Sequence, residues 1–274
     1  MEFSNNLLSW YQNNKRDLPW RKTTNAYHIW LSEIVLQQTR VEQGMPYYLA
    51  FTTAFPTVND LANATEDKVL KMWQGLGYYS RARNLHYTAK DIVANYNAIF
   101  PKDYHQLLKL KGVGTYTAAA IASFAYDLPY AVVDGNVIRV LSRVFGIDIP
   151  FDSTIGKREF QLLADKLLIP NEAAEYNQSI MEFGAVQCRP KSPNCSVCVM
   201  RVMCDACSTD RVGDLPVRSK KTIVRNRYLH YLMIEKNDEV FLGKRDRGIW
   251  KGLYEFPFLE FDNDIGEPAV INSL

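Results

Sequence analysis

Apolar residues recur at helical spacing along most of this chain. Phe3, Leu7 and Tyr11 share one face of a helix read from Glu2 to Asn14. Asn25 stands where a side chain can cap a helix running to about Gln38, and Asn63-Ala64-Thr65 leads into a short helix ending at Gly75 or Gly77. Further helices are predicted over Ser80–Tyr96 (stopped ahead of Pro101), over the short stretch Asp103–Lys109, and over Thr115–Tyr126, Asp134–Phe145, Ile155–Leu168 and Glu172–Val186. No long-period repeat interrupts this pattern. It changes after the last cysteine. Leu215-Pro216 opens a linker over 215–224, and Arg218–Arg227 carries five basic residues and no acid. Arg227–Glu235 and Glu239–Arg245 have strand-like composition, and Gly248–Pro257 is rich in Trp, Tyr and Phe. The expected organisation is a mainly α domain over 1–214, the linker, and the start of a β-containing domain over 225–274. That last stretch is short for such a domain, so it is read as incomplete.

Composition adds little to this and removes some options. Of 274 residues, 47% are hydrophobic and 23% charged, which is ordinary for a globular chain and unlike disorder. The net charge of +2 does not announce a nucleic-acid partner, so any such partner has to be met by a local patch. Met1–Asn14 shows no basic segment followed by an apolar one, and no apolar run reaches the roughly 18 residues of a membrane span. The expectation is a cytoplasmic chain with no membrane partner.

The cysteines change the picture more. All five lie between Cys188 and Cys207. A disulfide framework staples distant parts of a small secreted fold, whereas thiols this close in sequence point to metal ligation. Cys188, Cys195, Cys198 and Cys204 give C-x6-C-x2-C-x5-C, a soft donor set suited to an iron–sulfur cluster or to zinc. A zinc reading would instead take Cys195, Cys198, Cys204 and Cys207, with an unusually short gap between the two pairs. Arg189 and Lys191 flank the first ligand, either as phosphate contacts or as solvated loop cations.

Three further features carry chemistry. Leu110-Lys111-Gly112-Val113-Gly114-Thr115 lies between two predicted helices. Gly112 and Gly114 would let the backbone turn tightly and bring amides to a phosphate at the next helix's N-terminus, although the same pattern serves a plain turn between helices. Glu33 has Ile29, Trp30, Leu36 and Gln37 as its helical neighbours, a mostly apolar setting that raises a carboxyl pKa unless the residue sits on a solvated edge. Asp134 begins a helix, where the dipole favours its ionised form and where it can also be a simple cap. Breaking a purine–sugar bond needs one neutral acid to protonate the base and one anion beside the sugar cation. Glu33 and Asp134 suit that division.

Several motifs together resemble adenine DNA glycosylases of the MutY type, within the helix-hairpin-helix, endonuclease III superfamily. They are Arg16-Asp17-Leu18-Pro19-Trp20-Arg21, Trp30-Leu31-Ser32-Glu33, Leu36-Gln37-Gln38-Thr39, Gly75-Leu76-Gly77-Tyr78-Tyr79, Asp134-Gly135-Asn136-Val137 and the cysteine run, in order over about residues 7–207. The tail, with Gly248-Ile249-Trp250 and Glu255-Phe256-Pro257, resembles the beginning of that family's Nudix-like domain. The resemblance implies a two-lobed helix-hairpin-helix fold with a 4Fe-4S cluster on Cys188, Cys195, Cys198 and Cys204. It implies a monomer, nucleoid-associated in a bacterial cytoplasm, that hydrolyses adenine from duplex DNA opposite 8-oxoguanine or guanine. Glu33 matches the residue that protonates adenine and Asp134 the one that stabilises the oxocarbenium ion. Tyr116 stands where lyase relatives carry a nucleophilic Lys, which implies base removal without strand cleavage. Trp20, Arg21 and Gln178 match adenine-pocket positions; Gln38 and Tyr78 match residues that wedge into the duplex; Leu36, Thr39 and Leu76 belong to the same substrate-contacting motifs. The alternatives are a pyrimidine glycosylase/lyase, which needs Lys at 116, and a catalytically silent DNA clamp, which would leave Glu33 and Asp134 on opposite faces.

Overall fold

Helix starts in this chain are set by side chains that answer the unpaired amides of the first turn. A computed structural model of the chain describes residues 2–219, 226–248 and 250–264. They fall into two units, Met1–Lys220 and Lys221–Leu274.

In the first unit, Asn25 accepts from the amides of Tyr27 and His28 at the head of α2 (Ala26–Leu36), as its position in the sequence predicts. Thr65 does the same for α5 (Glu66–Met72) and Asp103 for α7 (Tyr104–Leu107). The remaining predicted helices form as α1 (Glu2–Asn14), α6 (Ser80–Asn95), α8 (Thr115–Tyr126), α9 (Gly135–Phe145), α10 (Thr154–Leu167) and α11 (Ala173–Glu182). Past Glu182 the predicted helix loosens into a π turn, Phe183–Gln187, and a short α12 (Asp205–Ser208) follows the cysteine run. Two helices were not legible from periodicity. In α3 (Val41–Ala54), Gly44 and Pro46 read as breakers, yet the helix runs on through Pro46, which forgoes one amide donor in the second turn, while Tyr48 and Phe51 are buried in the first core described below. In α4 (Val58–Asn63), Thr57 and Asp60 form a reciprocal capping box, a signal that was there to be read.

Two apolar cores organise this unit. One gathers Trp30, Leu31, Phe51, Leu61, Trp73, Leu85 and Ile121 from α2 through α8. The other gathers Leu7, Val140, Leu141, Phe160, Tyr176 and Phe183. The first helix of the chain belongs to the second core: α1 packs on α11, and the Ser4 hydroxyl donates to the Leu167 carbonyl (2.9 Å). The chain thus leaves the second lobe, builds the first, and returns, placing α2, α8 and α9 beside the junction.

The second unit shows short antiparallel ladders among its described residues. β1 (Tyr228–Tyr231) pairs with β6 (Phe258–Phe261), Tyr228 opposite Phe261. β2 (Glu235–Lys236) pairs with β3 (Glu239–Val240), and β4 (Gly243–Lys244) with β5 (Tyr254–Glu255). Asn237 and Asp238 both adopt left-handed backbone (φ 52° and 61°), the geometry of a two-residue hairpin turn that suits Asn and Asp. Most of the basic stretch, residue 249 and the last ten residues, 265–274, lie outside the described residues.

Candidate active site

α2 is enclosed on every side: Ile29 through Val35 are all buried, and Glu33 among them is 7% exposed. The solvated-edge reading of Glu33 therefore fails. Burial pushes its carboxyl up to about 7; the Tyr116 phenol, placed to donate to it, pulls down, Asp134 adds upward, and Arg21 opposes. Tyr116 comes from the first turn of α8, directly behind the hairpin, and burial holds its phenol protonated well above its ordinary range.

Asp134 is both a cap and a cleft residue. Its Oδ1 accepts from the Val137 amide (2.8 Å), and its Oδ2 accepts from the Asn136 side chain (2.8 Å). The sequence leads one to expect the helix start to favour its charged form. The amides do pull that way, but burial outweighs them and the net shift is upward. Glu33, Tyr116 and Asp134 line one cleft of about 510 Å³, together with Trp20, Arg21, Leu36, Thr39 and Gln178. A cleft of this size accommodates a nucleoside-sized group.

Sequence reasoning missed the group that holds Arg21. Glu182, at the end of α11, has a fully buried side chain. It accepts from Arg16 Nε and Nη2 and from Arg21 Nη2, each at 2.7 Å. Arg21 Nε also donates to Gln178 Oε1 (2.8 Å), so the Gln178 amide nitrogen is left as the donor. Burial alone would raise the Glu182 carboxyl, yet the hydrogen bonds from the two guanidiniums bring it down to about 2. A lone Glu on an amphipathic helix gives no sign of this; only its spatial partners do. Removing one member of a buried ion pair strands the others, so Glu182→Ala should lower stability by about 3–5 kcal/mol in urea or thermal unfolding. The depressed pKa means that Glu182's contribution is complete above its ordinary 4.5 and disappears as pH falls toward about 2. A destabilisation that is full at neutral pH, shrinks as pH falls below about 4.5 and is gone only below about pH 2 is the expected signature.

Gln38, Leu76 and Tyr78 are not among the residues lining this cleft. Leu76 is buried, while Gln38 and Tyr78 are exposed in the turns that leave α2 and enter α6. The hairpin is formed as its glycines predict. Gly112 has φ 81°, where an L side chain is strained and where a Cβ would stand 3.0 Å from Asn84 Cβ. Gly114 caps α8 in extended conformation, with open space where a Cβ would point. Thr88 steadies the turn from α6, its hydroxyl donating to the Lys111 carbonyl (2.7 Å).

Comparison with known proteins identifies the family. Residues 31–161 match the model of the HhH-GPD superfamily base excision DNA repair protein. An adenine DNA glycosylase of Buchnera aphidicola subsp. Baizongia pistaciae is 35% identical over 266 residues, spanning 96% of this chain and 75% of that relative. This chain belongs to the adenine DNA glycosylase family. Among solved structures, a thermostable thymine-DNA glycosylase matches with TM-score 0.70 and 28% identity, over 76% of this chain and 95% of its own. Endonuclease III in a non-covalent DNA complex matches with TM-score 0.64 and 21% identity, over 76% and 94%, a likeness of fold. The chain is thus a base excision repair enzyme, and no described helix is long and apolar enough to cross a membrane.

In this adenine DNA glycosylase, α9 ties the cleft to the cysteine run. Asp134 caps its start. Arg139, one turn on, donates to the Gly184 carbonyl (2.6 Å) and the Cys188 carbonyl (2.7 Å). Arg143, a further turn on, donates to the carbonyls of Arg189 (2.8 Å) and Pro190 (3.2 Å) and approaches Cys188 Sγ (3.5 Å). Two arginines four residues apart on an otherwise apolar helix are the sequence signal of this pairing. The five cysteines are all partly buried and unbonded to one another. Burial pushes Cys198 up to about 11, with Cys188, Cys204 and Cys195 each close enough to add to the shift. Such crowded thiols can ionise together only if cationic charge is placed among them. Among the described residues, no three His, Cys, Asp or Glu side chains converge as ligands of a single metal ion. Arg189 and Lys191 are exposed beside the first cysteine.

Proposed function

We propose that this glycosylase hydrolyses adenine from duplex DNA in which the adenine is paired with 8-oxoguanine or guanine, and that it leaves the abasic strand uncut. The observation that carries this reading is the meeting of Glu33 and Asp134 in one cleft, with the Glu33 carboxyl raised to about 7. Glu33 is then protonated often enough near neutral pH to deliver its proton to a ring nitrogen of adenine. As the sugar–base bond breaks, its electron pair leaves with the base, and Asp134 faces the sugar cation. A developing positive charge favours the ionised carboxylate, offsetting the burial that raises its pKa. Water then adds to the sugar carbon and gives up its proton to a carboxylate of the site. Tyr116, held neutral, orients Glu33 as a donor and offers no amine for a Schiff base.

Trp20, Arg21, Leu36, Thr39 and Gln178 hold the flipped adenine, with the Gln178 amide as donor to a base nitrogen. Gln38, Leu76 and Tyr78 meet the opened stack, the opposite base included. Gly112 and Gly114 present amides to a phosphate, and Arg189 and Lys191 meet another. Cys188, Cys195, Cys198 and Cys204 fit a 4Fe-4S cluster in donor chemistry, and a cluster with four separate iron corners does not need them to converge on one point. Bound there, the cluster would supply cationic iron that offsets the thiolate charge, and the four cysteines would thereby hold the loop that carries Arg189 and Lys191. We further assign 1–214 as the catalytic domain, 215–224 as a linker and 225–274 as the start of a Nudix-like domain, with the enzyme acting as a monomer on chromosomal DNA.

The test is single-turnover cleavage of duplexes carrying adenine or thymine opposite 8-oxoguanine, with and without alkali. Adenine release, with strand breaks only after alkali, is expected. Thymine release, or nicking without alkali together with a borohydride-trapped complex, would overturn the reading.

A further inference from the structure

Gln38 and Tyr78 share a backbone that L residues avoid. Gln38, two residues past α2, has φ 57°, and Tyr78, two residues before α6, has φ 48° with 64% of the residue exposed. Such conformations persist only where the surroundings over-determine them. Here one side chain reaches both turns. Arg81, in the first turn of α6, donates through Nη1 to the carbonyls of Ile34 (2.9 Å), Val35 (3.2 Å) and Gln37 (2.6 Å). Through Nη2 it reaches the carbonyls of Leu76 (3.3 Å) and Gly77 (3.5 Å). Its guanidinium lies 5.0 Å from the Trp73 ring centroid and 5.9 Å from that of Tyr78.

We propose that Arg81 is a positioning residue of the glycosylase: it fastens the turns at 36–39 and 75–79 to each other, so that Gln38 and Tyr78 enter the duplex as one rigid pair. The carbonyls at the end of α2 have no partners within the helix and carry the negative end of its dipole, so the half-buried Arg81 cation suits them. The second turn is held independently at its flanks. Trp73 Nε1 donates to the Gly77 carbonyl (2.9 Å), and the Tyr47 hydroxyl donates to that of Gln74 (2.7 Å). Only the planar fork of an arginine spans both turns. Lysine places its charge at one point and satisfies one turn or the other. Rigidity matters because a probe already ordered in free protein loses less freedom when it inserts between bases.

The proposal rests on the reading of the enzyme as one that opens duplex DNA, and its test does not require turnover. The full chain would be titrated into a duplex with 2-aminopurine beside 8-oxoguanine, reading affinity and the fluorescence rise that reports unstacking. Arg81→Lys and Arg81→Met would be compared in the natural chain and in a Gln38→Ala/Tyr78→Ala background, with thermal unfolding of each. In the natural chain, Arg81→Lys should weaken binding by about tenfold and remove most of the fluorescence rise; in the double-alanine background it should change affinity by less than about threefold. The same loss in both backgrounds, or a loss that follows the folded fraction, would reduce Arg81 to a general structural residue and overturn the proposal, as would no loss in the natural chain. Should Arg81→Met unfold, the lysine variant still decides the matter. Adenine release by the unaltered enzyme, measured alongside, separates the two readings: unstacking without release defeats the assigned reaction and leaves the Arg81 comparison standing.

Discussion

Glu33→Gln should bind duplex DNA as the natural chain does and release adenine slower by a factor of about 10²–10⁴. The substitution is nearly isosteric, and the buried carboxyl it replaces is neutral below about 7, so the cleft keeps its shape and most of its electrostatics. What it loses is the transferable proton. The pH dependence follows with its sign. An acid raised from 4.5 to about 7 is protonated and competent below that value. The single-turnover rate should therefore fall by about tenfold per unit above about pH 7 as Glu33 ionises, and fall on the acid side as Asp134 becomes protonated; the alkaline limb should vanish in the glutamine variant. The same shift has a stability consequence. A folded-state carboxyl raised from 4.5 to about 7 costs stability that accrues as pH rises through that window and is complete above it, so Glu33→Gln should be the more stable protein at neutral and alkaline pH and equal at about pH 4 and below. Single-turnover kinetics from about pH 4 to about pH 9, with thermal unfolding at the same points, reads both effects. A variant rate within about threefold of the natural enzyme would remove Glu33 from the chemistry.

Asp134→Asn should lower the rate by about 10²–10³, with little change in stability. The two outcomes separate because Asp134 does two jobs. As a cap it accepts from the Val137 amide, and asparagine caps almost equally well. As the charge facing the sugar it has no neutral substitute. The one local loss is the acceptor for the Asn136 side chain, which lies at the edge of the cleft and has Arg139 as a second partner. Asp134→Ala should instead cost about 1 kcal/mol of stability as well as the rate, because the cap goes too. If asparagine preserved the rate while alanine destroyed it, Asp134 would be a cap alone, and the stabilising anion would have to be sought elsewhere in the cleft.

Much of this was legible in the chain. Asn25 caps α2 where a capping residue precedes an apolar run, α8 and α9 begin behind the hairpin and at Asp134, and the cysteine spacing marks a single loop. The two acids could be named from their neighbours and from the motifs around them. These signals share a cause: caps, turns and the helical repeat depend on residues within a few positions of one another. α3 escaped because its Gly44 and Pro46 argue locally against a helix that packing enforces. What no local pattern could give was the environment. Glu33 becomes an acid of about 7 because helices from distant parts of the chain close over it, and Glu182 drops to about 2 because Arg16 and Arg21 return to it across the fold. Arg81 looks like any charged residue on a helix until the turns it joins are seen in space. Desolvation and the pairing of remote charges depend on what the folded chain places within a few ångströms, so they belong to the tertiary structure, while the residue types able to exploit them were already written in the sequence.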